Sequence, residues 1–335
     1  PVKIFVSIAS FQDPILPYTI ESIIENANYK KDLVLGIFDQ TLDDLDVFKE
    51  WGKYGPEIRY KTCKPEDSKG ACWARSTIQK DLFEGEDIFM QIDSHTLFSK
   101  DWDKDLLEKY ETCFNWFEKP LITGYPRGFD VLTPKGGWLN TDEKYMFRIT
   151  TDDPDQTHVM QIHLPYSMGY HSGQMAHVIR GKKYFKGFSL AGGCIFTDGN
   201  FVKDVPYDPN IYFMGEETSL ALRAFTHGYD IVHVPNTPLY HWYNTDKEEL
   251  VRDLHWGPDE ERTKEKELLI KTAAKRVDNV LQGKVTDEYG LGNKRTLKEY
   301  AELSGLDYEL KTVNLDKATW KDESRLELHL EDGFE

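Results

Sequence analysis

The first half of the chain alternates short apolar runs with segments of helical periodicity. Residues 2–9 (VKIFVSIA) are almost continuously apolar and β-branched, which is typical of a strand buried on both faces. Residues 70–83 and 102–117 have the periodicity of helices, so helices are expected there. Further strands are expected at residues 33–38, 57–62, 87–92 and 121–123. Repeated strand–helix units predict an α/β fold, with a mostly parallel central sheet and helices on both faces.

The second half is less regular. Between residues 125 and 188 the periodicity fades into a Gly-, Pro-, His- and aromatic-rich stretch, and irregular chain of this length is usually functional or mobile. Ordered structure is expected again from residues 191–196, with a helix at 216–226 and a strand at 231–234. Residues 258–282 predict a long charged helix, which is followed by a polar tail.

Polar residues and one phenylalanine gather where three of the predicted strands end. They are Ser10, Phe11 and Asp13 after the first strand, Asp39 and Gln40 after the second, and Asp93, Ser94 and His95 after residues 87–92. Sheets of this type bind ligands at the carboxyl ends of their strands, so these residues predict a site at one edge of the sheet. The pair Asp13-Pro14 is also expected to open the first helix, because Asp is a good N-cap and Pro suits the first helical position.

Composition narrows the class of protein. Of 335 residues, 39% are hydrophobic and 30% charged, as in ordinary globular proteins. No run approaches the roughly 18–20 apolar residues of a membrane span, and the first ten residues show no cleavage-site pattern, so we expect neither a span nor a signal peptide. The cysteine spacings fit neither a zinc ribbon nor a small disulfide scaffold, which predicts reduced thiols in a cytoplasmic protein. The cysteines are Cys63, Cys72, Cys113 and Cys194.

The chain is acidic, with 58 Asp and Glu against 41 Lys and Arg and a formal net charge of −17. This excess argues against a surface that broadly binds phosphate backbones. It leaves room for a local basic site, or for a metal ion that supplies positive charge. Basic residues between 125 and 190 are one candidate acceptor groove, and solvated loop charge is the alternative. They are Arg127, Lys135, Arg148, Arg180, Lys182, Lys183 and Lys186.

The segment Asp93-Ser94-His95 carries the sharpest chemical signal. A carboxylate and an imidazole from one short loop suit a divalent ion such as Mn²⁺, which accepts both kinds of donor. His241 is a candidate third ligand, because it follows the strand expected at residues 231–234. The alternatives are that Asp93 caps the following turn, that His95 is a surface residue, and that His241 is a packed histidine of the core.

Three further elements could contact a ligand. Arg75 lies one turn into the helix that begins near Gly70, where it could pair with phosphate oxygens or simply be a surface arginine. Consecutive glycines at Gly192-Gly193 suggest close approach of the backbone to a ligand. Glu216 and Glu217 begin a helix, where they could bind sugar hydroxyls or stabilise the helix dipole. Walker A and G-x-G-x-x-G motifs are absent, which disfavours an ATPase or an ordinary dehydrogenase.

Taken in order, these segments resemble metal-dependent glycosyltransferases of the GT-A type. The resemblance is closest to hydroxyproline-directed polypeptide N-acetylglucosaminyltransferases and more distant to mucin-type polypeptide N-acetylgalactosaminyltransferases. It rests on residues 5–14 (FVSIASFQDP), on 70–95 with its D-S-H, on 191–241 with AGGCIF and FMGEETSLALR, and on 289–305. The distant family has Gly-Gly-Glu where this chain has Met214-Gly215-Glu216, which leaves the width of the sugar pocket and the donor sugar open.

The resemblance implies roles for the residues identified above. The ligands of Mn²⁺ (or Mg²⁺) would be Asp93, His95 and His241. The UDP-sugar donor, UDP-GlcNAc or a related sugar nucleotide, would contact Ser10, Phe11, Asp13, Asp39, Gln40, Arg75, Asp93, Ser94, Gly192 and Gly193. The residues at the reacting centre would be Glu216, Glu217 and Arg75.

The implied reaction is transfer of GlcNAc to an acceptor hydroxyl with retention of configuration. The acceptor could be a protein, a glycan or a hydroxymethylated base in DNA. A sugar-nucleotide-binding protein without catalysis and a metal-dependent phosphodiesterase or hydrolase are the other classes.

The resemblance also implies a division of the chain. Residues 1–257 would form the catalytic domain, with a nucleotide-binding half at 1–124, a variable acceptor-side region at 125–190, and an acceptor and metal half at 191–257. Residues 258–335 would form a C-terminal helical appendage.

Overall fold

The computed structural model describes residues 1–43, 51–132, 145–150, 153–162, 174–243 and 263–330. The strands are β1 (Ile4–Phe11), β2 (Leu33–Gln40), β3 (Glu57–Cys63), β4 (Ile88–Asp93), β5 (Thr96–Phe98), β6 (Pro120–Thr123), β7 (Arg127–Leu132), β8 (Met146–Ile149), β9 (Gln156–Ile162), β10 (Gln174–Arg180), β11 (Tyr184–Gly187), β12 (Cys194–Asp198), β13 (Asp230–His233), β14 (Leu239–His241), β15 (Leu306–Asp307), β16 (Thr312–Val313) and β17 (Glu327–Leu328). The helices are α1 (Leu16–Asn26), α2 (Ala71–Asp81), α3 (Trp102–Cys113), α4 (Phe201–Asp204), α5 (Glu216–Thr226), α6 (Thr263–Leu281), α7 (Leu297–Ser304) and α8 (Leu315–Ala318).

A nine-stranded sheet forms the centre of the fold, in the order β17-β11-β13-β6-β12-β4-β1-β2-β3. The strands β3, β2, β1 and β4 are parallel, as their apolar runs predicted. Beyond β4 the sheet is mixed, because β12 runs antiparallel to both of its neighbours and β11 runs antiparallel to β13 and β17. The α/β class is therefore confirmed, but only one half of the sheet is parallel throughout.

Helices cover both faces of this sheet, as the strand–helix alternation predicted. Along β1, Ile4, Val6 and Ile8 face the cluster that includes α1 and α3, while Phe5 faces the cluster that includes α2, α5 and α6. The alternation explains why the strand carries apolar residues on both faces, since both faces are buried.

The region between residues 125 and 188 is more regular than expected. Its described parts contain the five strands β7 to β11. Strands β7 and β8 join β5 and β14 in a second, four-stranded sheet, in the order β5-β14-β7-β8. The prediction of irregular chain was wrong here, because short strands of mixed polarity give no clear alternation in the sequence.

Four basic residues of this region have partners within the protein. Arg148 pairs with Asp130, Lys183 with Glu327 and Lys186 with Asp230. Arg127 is buried and its guanidinium lies 4.5 Å from the centre of the Tyr240 ring. Lys135 lies outside the described residues. These pairs favour an interpretation as ordinary structural charge over a basic groove.

The C-terminal part packs into the main core. Tyr300, Leu306, Trp320 and Leu326 belong to the same apolar cluster as α2 and α5. Strand β17 extends the central sheet by pairing with Tyr184 and Phe185 of β11. The expected helices are present, and this segment also completes one edge of the sheet. The domain boundary expected at residue 257 lies outside the described residues.

Three further expectations can be compared with the structure. All four cysteines are free. In the part of the chain that the structure describes, we find no helix with the length and apolarity to cross a membrane. The first helix begins at Leu16, later than Asp13-Pro14 predicted, because the Asp13 carboxylate accepts from the Ile15 amide in a turn that precedes the helix.

Candidate active site

The carboxyl ends of β1, β2 and β4 meet at one edge of the sheet, as predicted. In the parallel register Ala9 lies opposite Asp93, while Ser10 lies opposite Asp39 and Phe11 opposite Gln40. Polar side chains from separate parts of the chain are therefore brought together by strand pairing alone.

Asp93, His95 and His241 converge at this edge. Each offers one ligand atom, and these atoms all lie within 4.8 Å of one another. The Nε2 atom of His241 lies 2.9 Å from Asp93 Oδ2, and the two imidazole rings are 4.7 Å apart between centroids. His95 is 9% exposed, and the Asp93 carboxylate bonds Arg75 and His241, so the surface and capping alternatives do not describe these residues.

The four-stranded sheet places His241 at this edge. Strand β14 pairs antiparallel with β5, which places His241 opposite Thr96, one residue beyond His95. The backbone amide of Trp242 then donates to the carbonyl of His95 at 3.1 Å. A histidine far along the chain thereby meets the D-S-H loop through a backbone pairing.

These three residues fit a divalent metal ion. One carboxylate and two imidazoles form a mixed oxygen and nitrogen donor set. The Nδ1 atom of His241 is buried without a hydrogen-bond partner, so only Asp93 engages this ring through the hydrogen bonds of the described residues. Although burial raises the pKa of the Asp93 carboxyl, the hydrogen bond from His241 and the charge of Arg75 outweigh it and hold the pKa below its usual range. The carboxylate is therefore ionised, as a metal ligand must be.

Arg75 is buried beside this cluster and is not a surface arginine. Its Nη2 donates to Asp93 Oδ1 at 2.7 Å, and its Nη1 is ion-paired with Oε1 of Glu216. The hydroxyl of Tyr207 donates to the same Glu216 oxygen at 2.9 Å. Burial by itself would lower the pKa of the guanidinium, but Glu216 and the other anionic groups around it raise the pKa well above its usual value. With both Nη atoms engaged, Arg75 holds the carboxylates in place.

The two glycines at residues 192 and 193 make room for this ion-pair network. A Cβ atom on Gly192 would lie 2.6 Å from both Arg75 Nη1 and Glu216 Oε1, and one on Gly193 would lie 2.5 Å from Asp93 Oδ2. The close backbone approach suggested by the sequence is therefore an approach to charged side chains of the protein itself.

Glu217 occupies a separate position from Glu216. Its Oε1 accepts from the Gly192 amide at 2.7 Å and its Oε2 accepts from the Tyr125 hydroxyl at 3.0 Å. Burial, followed by repulsion from Glu216, raises the pKa of the Glu217 carboxyl to about 7. This carboxyl can therefore take up or release a proton near neutral pH, which stabilisation of a helix dipole alone does not require.

The residues expected near the nucleotide fall into two groups. At the ends of β1 and β2, Gln40 donates to the Ser10 carbonyl at 2.9 Å and Tyr60 donates to Asp39 at 2.9 Å. Phe11 is half-buried at the same edge. The hydroxyl oxygen of Ser10 and Oε1 of Gln40 are buried without hydrogen-bond partners. Asp13, by contrast, lies beside the three candidate metal ligands. Its Oδ2 is 2.7 Å from His95 Nδ1 and 2.6 Å from the Ser94 hydroxyl.

Sequence reasoning missed Tyr125, Tyr207 and Gln91. Gln91 donates to the Gly192 carbonyl at 2.7 Å and to the Tyr207 hydroxyl at 2.6 Å. A glutamine inside the apolar strand DIFMQID was the available signal, because a buried amide needs partners. The two tyrosines are ordinary members of a set of 18, and no local pattern distinguishes them.

Comparison with known proteins identifies the class of protein. A family model described as glycosyltransferase (GlcNAc) matches residues 49–310, which is most of the chain. The chain therefore belongs to the GlcNAc glycosyltransferase family. Sequence comparison with curated proteins finds no match.

Solved structures show the fold. GalNAc-T7 with UDP, GalNAc and Mn²⁺ matches with a TM-score of 0.55 and 14% identity, over 90% of this chain and 54% of that chain. This chain thus spans about half the length of GalNAc-T7. Residues 1–349 of S. aureus TarS, in complex with UDP-GlcNAc, match with a TM-score of 0.45 and 12% identity, over 84% of this chain and 71% of that chain. The match to GalNAc-T7 shows that the chain has the GT-A fold, while the narrower hydroxyproline-directed family stays a prediction.

We expect Gly192→Ala to weaken both stability and transfer. The added methyl group would separate the Arg75–Glu216 pair or displace the backbone, which costs about 1–3 kcal/mol for an overpacked site. Chemical denaturation and steady-state kinetics measure the two effects. Gly52→Ala is the matched control, because no atom lies within 4 Å of its added Cβ. Equal stability and activity in the two variants would contradict the packing role of Gly192.

We expect Glu217→Gln to change the pH dependence of stability. The pKa of Glu217 is raised in the folded state to about 7 from an ordinary 4.5, so the folded state binds the proton more tightly. Its contribution is fully present below about pH 4.5 and is lost as the pH rises to about 7, by at most about 3 kcal/mol. The variant should lack this fall in unfolding free energy. Urea titrations of the metal-free wild type and variant between pH 5 and 8 measure the unfolding free energy. If this free energy changes with pH in the same way in both proteins, the raised pKa of Glu217 is excluded.

Proposed function

We propose that the protein transfers GlcNAc from UDP-GlcNAc to an acceptor hydroxyl, with retention of configuration and with a divalent ion, Mn²⁺ or Mg²⁺, held by Asp93, His95 and His241. The observation that carries this proposal is the convergence of these three side chains at the carboxyl edge of the sheet, beside the buried Arg75–Glu216 pair. Membership of the GlcNAc glycosyltransferase family supports GlcNAc as the sugar.

The charge of the site supports the requirement for a cation. Asp93, Glu216 and Glu217 surround one buried cation, Arg75, and both ends of that cation are already paired with carboxylates. A sugar nucleotide carries a negatively charged diphosphate, which such an edge would repel in a partly buried setting. GalNAc-T7, which shares this fold, was solved with UDP, GalNAc and Mn²⁺.

Each part of the site has a separate task in this proposal. The bound ion would supply positive charge that neutralises the departing diphosphate. Arg75 holds Asp93 and Glu216 in fixed positions, so these carboxylates need not reorganise during the reaction. Ser10 and Gln40 carry buried polar atoms without partners at the ends of β1 and β2, which suits hydrogen bonding to a nucleotide base.

The acceptor side would be formed by Glu217 and Tyr125. A carboxyl with a pKa of about 7 can accept the proton of an attacking hydroxyl at neutral pH. Glu216 is committed to Arg75 and Tyr207, which leaves it poorly disposed to act as a covalent nucleophile. We therefore favour front-face attack by the acceptor hydroxyl, which retains the anomeric configuration.

For the acceptor we propose hydroxyproline in a protein, as the family resemblance implies. The ion pairs of Arg148, Lys183 and Lys186 do not favour a nucleic acid acceptor. Glycans and hydroxymethylated DNA are therefore alternatives for the assay and not second proposals.

We expect Asp93→Asn and His241→Ala to abolish Mn²⁺-dependent transfer while leaving the fold intact, with Asp93→Asn less stable because Arg75 loses one carboxylate partner. Loss of several kcal/mol of charge stabilisation corresponds to a fall of at least about 100-fold in kcat. Initial rates with and without Mn²⁺, together with circular dichroism, measure this. His329→Ala is the control, because the His329 side chain is 58% exposed and pairs with Glu327. Full activity in either test variant would remove the metal assignment.

We expect incorporation of GlcNAc into hydroxyproline peptides and an α-linked product. The donors to be tested are UDP-GlcNAc, UDP-GalNAc, UDP-glucose and UDP-galactose, each with peptide, glycan and hydroxymethylated DNA acceptors. Mass spectrometry of the products identifies the donor and the acceptor together. NMR of the product reports the anomer. Transfer to another acceptor would correct the substrate, and a β-linked product would exclude retention. If donor binds but is neither transferred nor hydrolysed, catalysis itself is contradicted.

A further inference from the structure

We propose that Asp13 is a positioning residue for the metal site: its carboxylate fixes the His95 ring with the proton on Nδ1 and thereby presents Nε2 to the ion. This inference rests on the proposed function for the identity of the ion. The sequence and the family resemblance had placed Asp13 with the nucleotide, so the role comes from the structure.

Both oxygens of Asp13 are engaged, and by different partners. Oδ1 accepts from the Ile15 amide at 2.9 Å, which anchors the carboxylate to the turn before α1. Oδ2 lies 2.7 Å from His95 Nδ1 and accepts from the Ser94 hydroxyl at 2.6 Å. The Asp13 side chain is 1% exposed and that of His95 is 11% exposed, so solvent competes little for these bonds.

A carboxylate oxygen can only accept, so Nδ1 of His95 must donate. The remaining nitrogen, Nε2, then carries the lone pair of a neutral imidazole, which is the form that binds a metal ion. Metal-binding histidines generally have such a partner on the other nitrogen, and its loss typically costs about 10–100-fold in metal affinity. A role in the turn alone would require only the Oδ1 contact.

The surroundings hold this arrangement rigidly. Thr19 of α1 donates from its hydroxyl to the Ser94 carbonyl at 2.8 Å and accepts from the Thr96 amide at 3.0 Å, so the loop that carries His95 is bound to α1 on both sides of that histidine. Before Asp13, the Gln12 backbone has a φ of 45° and its amide donates to the Gln40 carbonyl at 3.0 Å. The strand end, the turn and the helix start thus fix Asp13 relative to His95.

Asp13→Asn is the decisive substitution. The amide oxygen would keep the bond from Ile15, while the NH₂ group would face Nδ1 and require it to accept. The His95 proton would then move to Nε2, which blocks the ligand atom without removing the ligand. An Asp-to-Asn change beside the histidine of a serine protease triad acts in this way, since the geometry survives and the tautomer is wrong.

Two measurements on the full chain test the proposal. In metal-free protein above the titration range of histidine, ¹⁵N NMR should place the His95 proton on Nδ1 in the wild type and on Nε2 in Asp13→Asn. Titration with Mn²⁺ alone, followed by electron paramagnetic resonance, should show a dissociation constant raised about 10–100-fold in this variant.

Asp103→Asn is the matched control. Asp103 is fully buried and also accepts two hydrogen bonds, from the amides of Asn28 at 2.8 Å and Tyr29 at 2.7 Å, but it contacts neither histidine. It should lower the melting temperature without changing the His95 tautomer or the affinity for Mn²⁺.

The outcomes separate this inference from the proposed function. An unchanged tautomer and unchanged Mn²⁺ affinity in Asp13→Asn overturn the positioning role, even if Asp93→Asn abolishes Mn²⁺ binding. If the wild type binds no Mn²⁺ but the tautomer still depends on Asp13, the metal assignment fails while the control of the His95 ring stands. Equal loss of Mn²⁺ affinity in Asp103→Asn would reduce the effect to general destabilisation and would also overturn the proposal.

Discussion

One buried guanidinium organises the acidic edge of the central sheet. Arg75 joins Asp93 at the end of β4 to Glu216 at the start of α5, two elements far apart in the chain. Removing one partner from such a buried set leaves uncompensated charge and costs about 3–5 kcal/mol. This pair leaves no space at Gly192 for a side chain larger than a hydrogen atom. The shape of the site therefore depends on the ion pair before any ligand arrives.

That pairing also sets the electrostatics of the candidate site. Because Arg75 is paired with carboxylates of the protein, it contributes little free positive charge, and the proposed divalent ion would supply that charge to the diphosphate of the proposed donor. Asp93 serves both networks, with one oxygen toward Arg75 and the other toward His241. The net charge of −17 is then compatible with an anionic donor, since the relevant charge is local. Glu217, outside this pairing, keeps a pKa of about 7 and so remains available for proton transfer.

Elements outside the central sheet position the residues of the candidate site. The short strands β5 and β14 bring His241 to the D-S-H loop, and α1 binds both sides of that loop through Thr19. At the far end of α5, the amide of Lys294 donates to the carbonyl of Thr226 at 2.9 Å. The C-terminal segment thus caps the helix whose first residue is Glu216. The geometry of the candidate site therefore depends on residues from most of the described chain.

The sequence by itself determined the parallel half of the sheet and the edge where the site lies, because continuous apolar runs require burial and parallel strands end together. It also placed Asp93 beside His95, since their spacing is local. Only the tertiary structure decided which distant residues they meet. His241 follows Asp93 by 148 positions and Glu216 follows Arg75 by 141, and both contacts depend on strand register and helix packing. Periodicity records which residues are buried, but it does not record their partners. For the same reason Asp13 was assigned to the nucleotide from its position after β1, while its contact with His95 emerged only when the turn, the loop and α1 were assembled.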